Sequence, residues 1–271
     1  MIMKQWQKNL YTAWISQTLS LMGFGLVIPF IPYFIQELGV TNPDDIKFWT
    51  GFLSSVPSIG FALMAPVWGI IADKFGRKNM LLRAAGAAMI ILLLMSISHN
   101  VEFVAILRLS QGLFTGTVTA SATLVAAGTP KNKLAFALGI LSSSTFIGFT
   151  LGPFIGGNLA ELFGYRPTFV IGSFVMLISF LIVLFFIKEV KEESNNSEEP
   201  EKFSLLKIVS PIPVLLFFIL FQTRFARGLP RSFLPLMVQD IIGSQKGAAA
   251  ITGNISAMSG IFIAFSSLTI V

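Results

Sequence analysis

Eight runs of roughly twenty apolar residues, each closed by a short polar turn, fix what this chain can fold into. Twenty such residues are what an α-helix needs to cross the hydrocarbon core of a bilayer. The runs fall at 12–36, 48–71, 80–98, 102–127, 134–162, 167–187, 211–241 and 248–271, and are numbered here as spans 1 to 8. Asn42-Pro43-Asp44, Thr129-Pro130-Lys131 and Gly164-Tyr165-Arg166-Pro167 mark turns between them. Composition supports the same class. Charged residues make up 12% of the 271, against about 25% in a soluble domain. Mean hydropathy is +0.78. The 27 Phe and 23 Gly suit membrane helices, where aromatic bulk meets lipid and small residues let helices approach.

The same inventory excludes several functions. The net charge of +6 is spread over short loops without a basic stripe, so a membrane explains it better than nucleic acid. The absence of Cys removes disulfides, thiolate metal sites and thiol redox chemistry. One His and few carboxylates outside loops argue against a metal, and nothing calls for a cofactor. No nucleotide-binding loop or nucleophile–base pair is present, which argues against an enzyme. The first span is long and lacks a small-residue cleavage site, so it reads as a retained helix.

Lys and Arg orient the spans. With the N-terminus in the cytoplasm, inner loops hold Lys4, Lys8, Lys74, Arg77, Lys78, Arg83, Lys131, Lys133, Lys188, Lys191, Lys202 and Lys207, and outer loops hold Lys47, Arg166 and Lys246. Residues 188–210 form an acidic polar linker, expected to be a solvated cytoplasmic tether. A repeat crosses it. Gly25-Leu26, Phe30, Pro32 and Gln36-Glu37 recur as Gly228-Leu229, Phe233, Pro235 and Gln239-Asp240, each shifted by 203. Thr50-Gly51 recurs as Thr252-Gly253. Parallel repeats joined by a linker imply two related bundles: 1–187 a six-helix bundle, 188–210 the linker, and 211–271 the first two helices of a second bundle.

Between spans 2 and 3 the chain reads Gly-Ile-Ile-Ala-Asp-Lys-Phe-Gly-Arg-Lys, in which Gly69, Asp73, Lys74, Gly76, Arg77 and Lys78 follow Gly-x-x-x-Asp-Arg/Lys-x-Gly-Arg-Arg/Lys. This resembles the loop between helices 2 and 3 of the major facilitator superfamily. Arg108, Gln111 and Gly112 in span 4 resemble that family's Arg-x-x-Gln-Gly. In span 5, Gly148, Gly152, Pro153, Gly156 and Gly157 resemble the Gly-x-x-x-Gly-Pro-x-x-Gly-Gly of its drug:proton antiporters. Trp6, Asn9, Leu10, Ala13 and Trp14 support a place among the twelve-span multidrug exporters. The resemblance is close over residues 1–190 and looser beyond, and the second bundle stops inside its second helix. It implies a transporter of a bacterial inner membrane, with lipid, a small-molecule substrate and protons as partners, working by alternating access.

Each motif also has a plain physical reading. Gly69 and Gly76 allow a tight reversal, Asp73 can bond nearby amides or pair with Arg77, and the loop's cations anchor it in the cytoplasm. The resemblance implies in addition a latch between the two bundles. Arg108 sits inside an apolar span, where an unpaired guanidinium is costly. It is either a satisfied structural residue or, as the resemblance implies, a part of the proton and substrate path. No carboxylate lies well inside spans 1 to 6, so the titrating group is not identified. Gly148, Gly152 and Gly156 line one face of span 5, for ordinary packing or for contact with the second helix of the other bundle. Pro29 and Pro32 after Gly25, with Pro230 and Pro235 in the equivalent stretch of span 7, point to interrupted helices beside a binding cavity, with ordinary kinks as the alternative. Phe24, Phe30, Tyr33, Phe52 and Phe61 are available to line it. Arg224, Arg227 and Arg231 share a face of span 7, which is either kinked and wet, or binds an anion, or belongs to a degraded half. Efflux of amphipathic drugs in exchange for protons is the leading expectation. An exporter of a sugar, siderophore or anionic metabolite, and a non-transporting fragment, are the alternatives.

Overall fold

The computed structural model describes residues 3–189 and 211–269, with the side chains of 211–213, 224, 227, 229 and 263–269 outside that description. All eight expected spans are helical, and no strand occurs among the described residues. A lipid-embedded backbone must satisfy its polar groups within each segment, which helices alone do in an open arrangement. Spans 1 to 6 are Gln5–Glu37, Pro43–Phe75, Arg77–Ser96, Val101–Gly128, Lys131–Phe163 and Tyr165–Phe186, each long and apolar enough to cross a membrane. Spans 7 and 8 are Pro211–Ile242 and Ala248–Thr269, with shorter apolar cores at Val214–Thr223 and Ala248–Phe262. The acidic part of the linker lies outside the described residues.

Local chemistry sets the helix ends. The Asn42 side chain accepts from the Asp44 amide at 2.9 Å, with Pro43 in the first helical position. Asn100 accepts from Phe103 N at 2.8 Å. Both are N-caps of the expected kind. Gly76 and Gly164, at φ +91° and +89°, end spans 2 and 5 and start the next helix at once. Side chains rarely adopt that conformation, so glycine is required there.

Two expectations about helix continuity need correction. Span 4 is not one helix: it breaks at Thr115 and Gly116, the latter at φ +118°, between Val101–Phe114 and Thr117–Gly128. Span 7, expected to be interrupted, is continuous through Pro230 and Pro235. Span 1 does break. Its first helix ends at Gly25, a short 3-10 turn covers Ile28–Phe30, and a second helix runs Ile31–Glu37.

Span 1 lies at the centre of the first bundle, packed on spans 5 and 6, while span 2 packs on 4 and span 3 on 6. Leu26, Phe34, Leu53, Leu92, Val104 and Met176 meet in one buried cluster. Leu10, Leu81, Leu124, Leu141 and Val183 form another, nearer the end that carries the Gly76 loop. The outward faces are apolar too, with Ile70, Leu162 and Phe185 more than 70% exposed, as lipid-facing side chains are. Span 8 lies along span 5, so the second repeat rests on the first bundle there.

Candidate functional site

A cavity of about 460 Å³ opens where spans 1, 2, 4, 5, 7 and 8 converge. Gly25, Pro29 and Pro32 line it from the break in span 1, Arg108 from span 4, and Phe149 and Pro153 from span 5. Gly228, Arg231 and Ser232 line it from span 7, with Thr252 and Ser256 from span 8. Thus both repeats contribute walls. Of the aromatic candidates, Phe24 lines the cavity. Phe30 and Tyr33 are fully buried, and Phe52 and Phe61 are 42% and 40% exposed. Arg224 and Arg227 have side chains outside the described residues. Among the described residues no carboxylate lines the cavity and no group of acids and histidines is placed to hold a metal.

Arg108 shows how a buried guanidinium is satisfied without an acid. Pro57 lies inside the unbroken helix of span 2, and lacking an amide hydrogen it leaves the carbonyl four residues earlier, that of Leu53, without its helical donor. Arg108 Nε donates to that oxygen at 2.9 Å, and another guanidinium nitrogen donates to Gln111 Oε1 at 2.6 Å. The residue is 4% exposed, and it borders the cavity. Gly112 completes the motif: a side chain there would collide with the Pro57 carbonyl, so glycine lets spans 2 and 4 touch by backbone. A search for a carboxylate partner misses this arrangement. The proline in the middle of span 2 was the available signal.

The glycine face of span 5 turns toward span 1, within its own bundle, and not toward the other one. A Cβ on Gly152 would stand 2.7 Å from Gly25 Cα, and one on Gly148 2.6 Å from Leu21 Cβ; one on Gly156 would enter the Leu26 backbone. Contact with the second repeat falls to neighbouring positions. A Cβ on Gly157 would meet Ala249 O, one on Gly253 would meet Pro153 O, and one on Gly260 would meet Thr150. Because the motif places glycines on two faces, span 5 is approached closely from both sides.

In the cavity wall, Arg231 lies over the Phe149 ring at 5.0 Å, joining span 7 to span 5. Arg83, which sequence reasoning treated only as a loop cation, stacks on Trp68 at 3.5 Å. It reaches toward Thr115 O at 3.4 Å, while Trp68 Nε1 donates to Leu113 O at 2.7 Å. These two side chains thus serve carbonyls at the break in span 4, the negative end of a half-helix.

At the Gly76 loop the partner is not the one expected. Glu189, from the end of span 6, accepts from the Arg77 and Lys78 amides at 2.9 and 3.1 Å. It therefore caps the positive end of span 3. Lys78 Nζ donates to Leu184 O at 2.8 Å, and an Arg77 guanidinium nitrogen to Thr123 O at 3.4 Å. Asp73, near the C-terminus of span 2, makes no hydrogen bond or ion pair among the described residues. Gly69 faces open space. Next to Glu189, Lys188 and Asn9 exchange a reciprocal pair of bonds, 2.9 and 3.2 Å. The start of the linker is thereby stitched to spans 1 and 3.

Residues 13–270 match the model of the Major Facilitator Superfamily. The chain is 36% identical over 261 residues to a protein of Proteus mirabilis named multidrug resistance protein MdtG, covering 94% of this chain and 64% of that one. A Rahnella protein of the same name is also 36% identical, over 94% of this chain and 63% of its own. The chain thus spans a little under two thirds of the length of these curated relatives. Among solved structures, an inward-facing, occupied bacterial homologue of the human lysosomal transporter Spinster superposes with a TM-score of 0.77 at 16% identity, covering 96% of this chain and 60% of that one.

Proposed function

The chain belongs to the major facilitator superfamily, a family of multi-pass membrane transporters, and from that premise we propose that it takes part in secondary active export of amphipathic small molecules in exchange for protons. The observation that carries the reading is the position of the cavity. It lies between sequence-related repeats, walled by both, at the break in span 1. A site shared by two repeats is exposed to one side or the other as they tilt, which is alternating access. The names of the relatives from Proteus and Rahnella supply the word multidrug.

In this reading the lysine- and arginine-rich loops face the cytoplasm of a bacterial inner membrane, and the Gly76 loop is a conformational latch. Glu189 holds that loop to the span 6 end in the state described. Arg108, fixed by Leu53 O and Gln111, offers its remaining N–H groups to the cavity. The test is proton release from energised everted vesicles on adding ethidium or norfloxacin. Export coupled to protons gives a drug-dependent loss of the pH gradient; no such loss, with the protein present in the membrane, contradicts it.

A specific observation favours a second reading of the substrate. Two cations, Arg108 and Arg231, line the cavity and no acid among the described residues does. An anionic amphiphile would be stabilised there and a cationic one repelled. Competition decides between them: an anionic detergent-like compound should block dye export at lower concentration than a cation of equal hydrophobicity if this reading holds.

A further inference from the structure

Gln36 and Gln239 occupy the same position of the two repeats, 203 residues apart, and they bond each other twice. Gln36 Nε2 donates to Gln239 Oε1 at 2.8 Å, and Gln239 Nε2 donates to Gln36 Oε1 at 2.9 Å. A residue that touches its own repeat mate, reciprocally, stands on the two-fold axis relating the repeats. Both lie near the ends of spans 1 and 7, beyond the cavity and far from the Gly76 loop.

The surrounding bonds join the same two repeats. The Tyr33 hydroxyl donates to Pro235 O at 2.7 Å and lies 3.0 Å from Thr252 Oγ1. Gln245 Nε2 donates to Tyr33 O at 3.2 Å, and Glu161 accepts from Gly247 N at 2.9 Å. Here symmetry fails. The repeat position of Tyr33 is Leu236, and Thr50, the mate of Thr252, keeps a buried hydroxyl with no partner among the described residues. One symmetric amide pair and one tyrosine strap therefore join the repeats at this end.

We propose that Gln36 and Gln239 form the gate that shuts the cavity at the end bearing Glu37 and Gly247, with Tyr33 as its asymmetric strap. The proposal rests on the alternating-access reading above. A neutral amide pair suits such a gate, because each amide can exchange its mate for water when the repeats part. A desolvated ion pair in the same place would resist opening.

The absence of cysteine makes the test direct. Ser58→Cys, in the cavity wall, is labelled with a membrane-impermeant maleimide in right-side-out and everted vesicles, so that each face is probed separately. Two amide hydrogen bonds of ordinary net strength bias such an equilibrium by roughly tenfold. Gln36→Ala with Gln239→Ala should raise labelling from the Glu37 face by about that factor and leave labelling from the Gly76 face unchanged or lower. Gln36→Leu, which keeps the volume, should act the same way, and Tyr33→Phe should give a smaller rise. Unchanged labelling from the Glu37 face in the double variant overturns the gate, and so does an equal rise from both faces, which would report general loosening. If the parent exports no dye while the one-sided response appears, the gate stands and the export reading falls. Intact export without that response removes the gate alone.

Discussion

Span 1 and span 7 carry the same repeat, with prolines in both, yet one helix breaks and the other does not. Span 1 ends its first helix at Gly25 and resumes at Ile31; span 7 runs unbroken through Pro230 and Pro235. Two things differ: Pro29, inside the break, is matched by Ser232 in span 7, and the shared glycine has another neighbourhood. At Gly25 an added Cβ would lie 2.9 Å from Gly152 Cα, and the next residue, Leu26, has its backbone against Gly156. At Gly228 nothing lies within 4 Å. A proline removes one hydrogen bond and permits a break. Contact of the backbone with span 5 selects the broken form, and that break shapes one wall of the cavity.

The largest effect should come from filling the contact. Gly152→Leu forces spans 1 and 5 apart, an overpacking that costs about 1–3 kcal/mol or more. Its detergent-solubilised protein should melt well below the parent. Gly228→Ala should instead be neutral or stabilising by up to about 1 kcal/mol, since a helical glycine is replaced in open space. Equal destabilisation at both positions would remove the distinction.

Arg108 sharpens the comparison from span 2, where Pro57 frees a carbonyl that a neighbour then uses. Arg108→Met leaves Leu53 O and Gln111 Oε1 without that donor, at about 1–3 kcal/mol. In a Pro57→Ala background Leu53 O regains a helical donor, so the same substitution should cost measurably less. Additive melting shifts in the double variant would refute that coupling.

Glu189→Gln probes the other end of the bundle. It weakens the cap on the span 3 amides, where a charged group at a helix start contributes about 0.3–1 kcal/mol at a surface. The expected result is a small melting shift that disappears in high salt, because exposed charges are screened.

How much of this was legible in the letters depends on distance along the chain. The spans and their turns were readable because twenty apolar residues and a Gly or Asn cap are local signals. The spacing of Gly148, Gly152 and Gly156 gave a flat face, but spacing does not name the helix that meets it; span 1 does. The kink in span 4 escaped because Gly116 sits among other small residues, Thr115, Thr117 and Ala120, and its positive φ leaves no mark in the sequence. Glu189 was hidden by its neighbours: the acidic run after it reads as solvated linker, whereas this one carboxylate caps a helix 112 positions away. Gln36 and Gln239 were visible as a repeated letter, which marks kinship and says nothing of contact.

Hydrogen exchange in nanodiscs, followed at residues 26–31 of span 1 and 229–234 of span 7, tests the central claim most directly. Packing-selected breakage predicts that amides of the first stretch exchange early while those of the second are protected, and that Pro29→Ala with Pro32→Ala leaves this contrast in place. Protection of span 1 in that double variant would contradict the account, because the prolines and not the contact with span 5 would then have held the helix open.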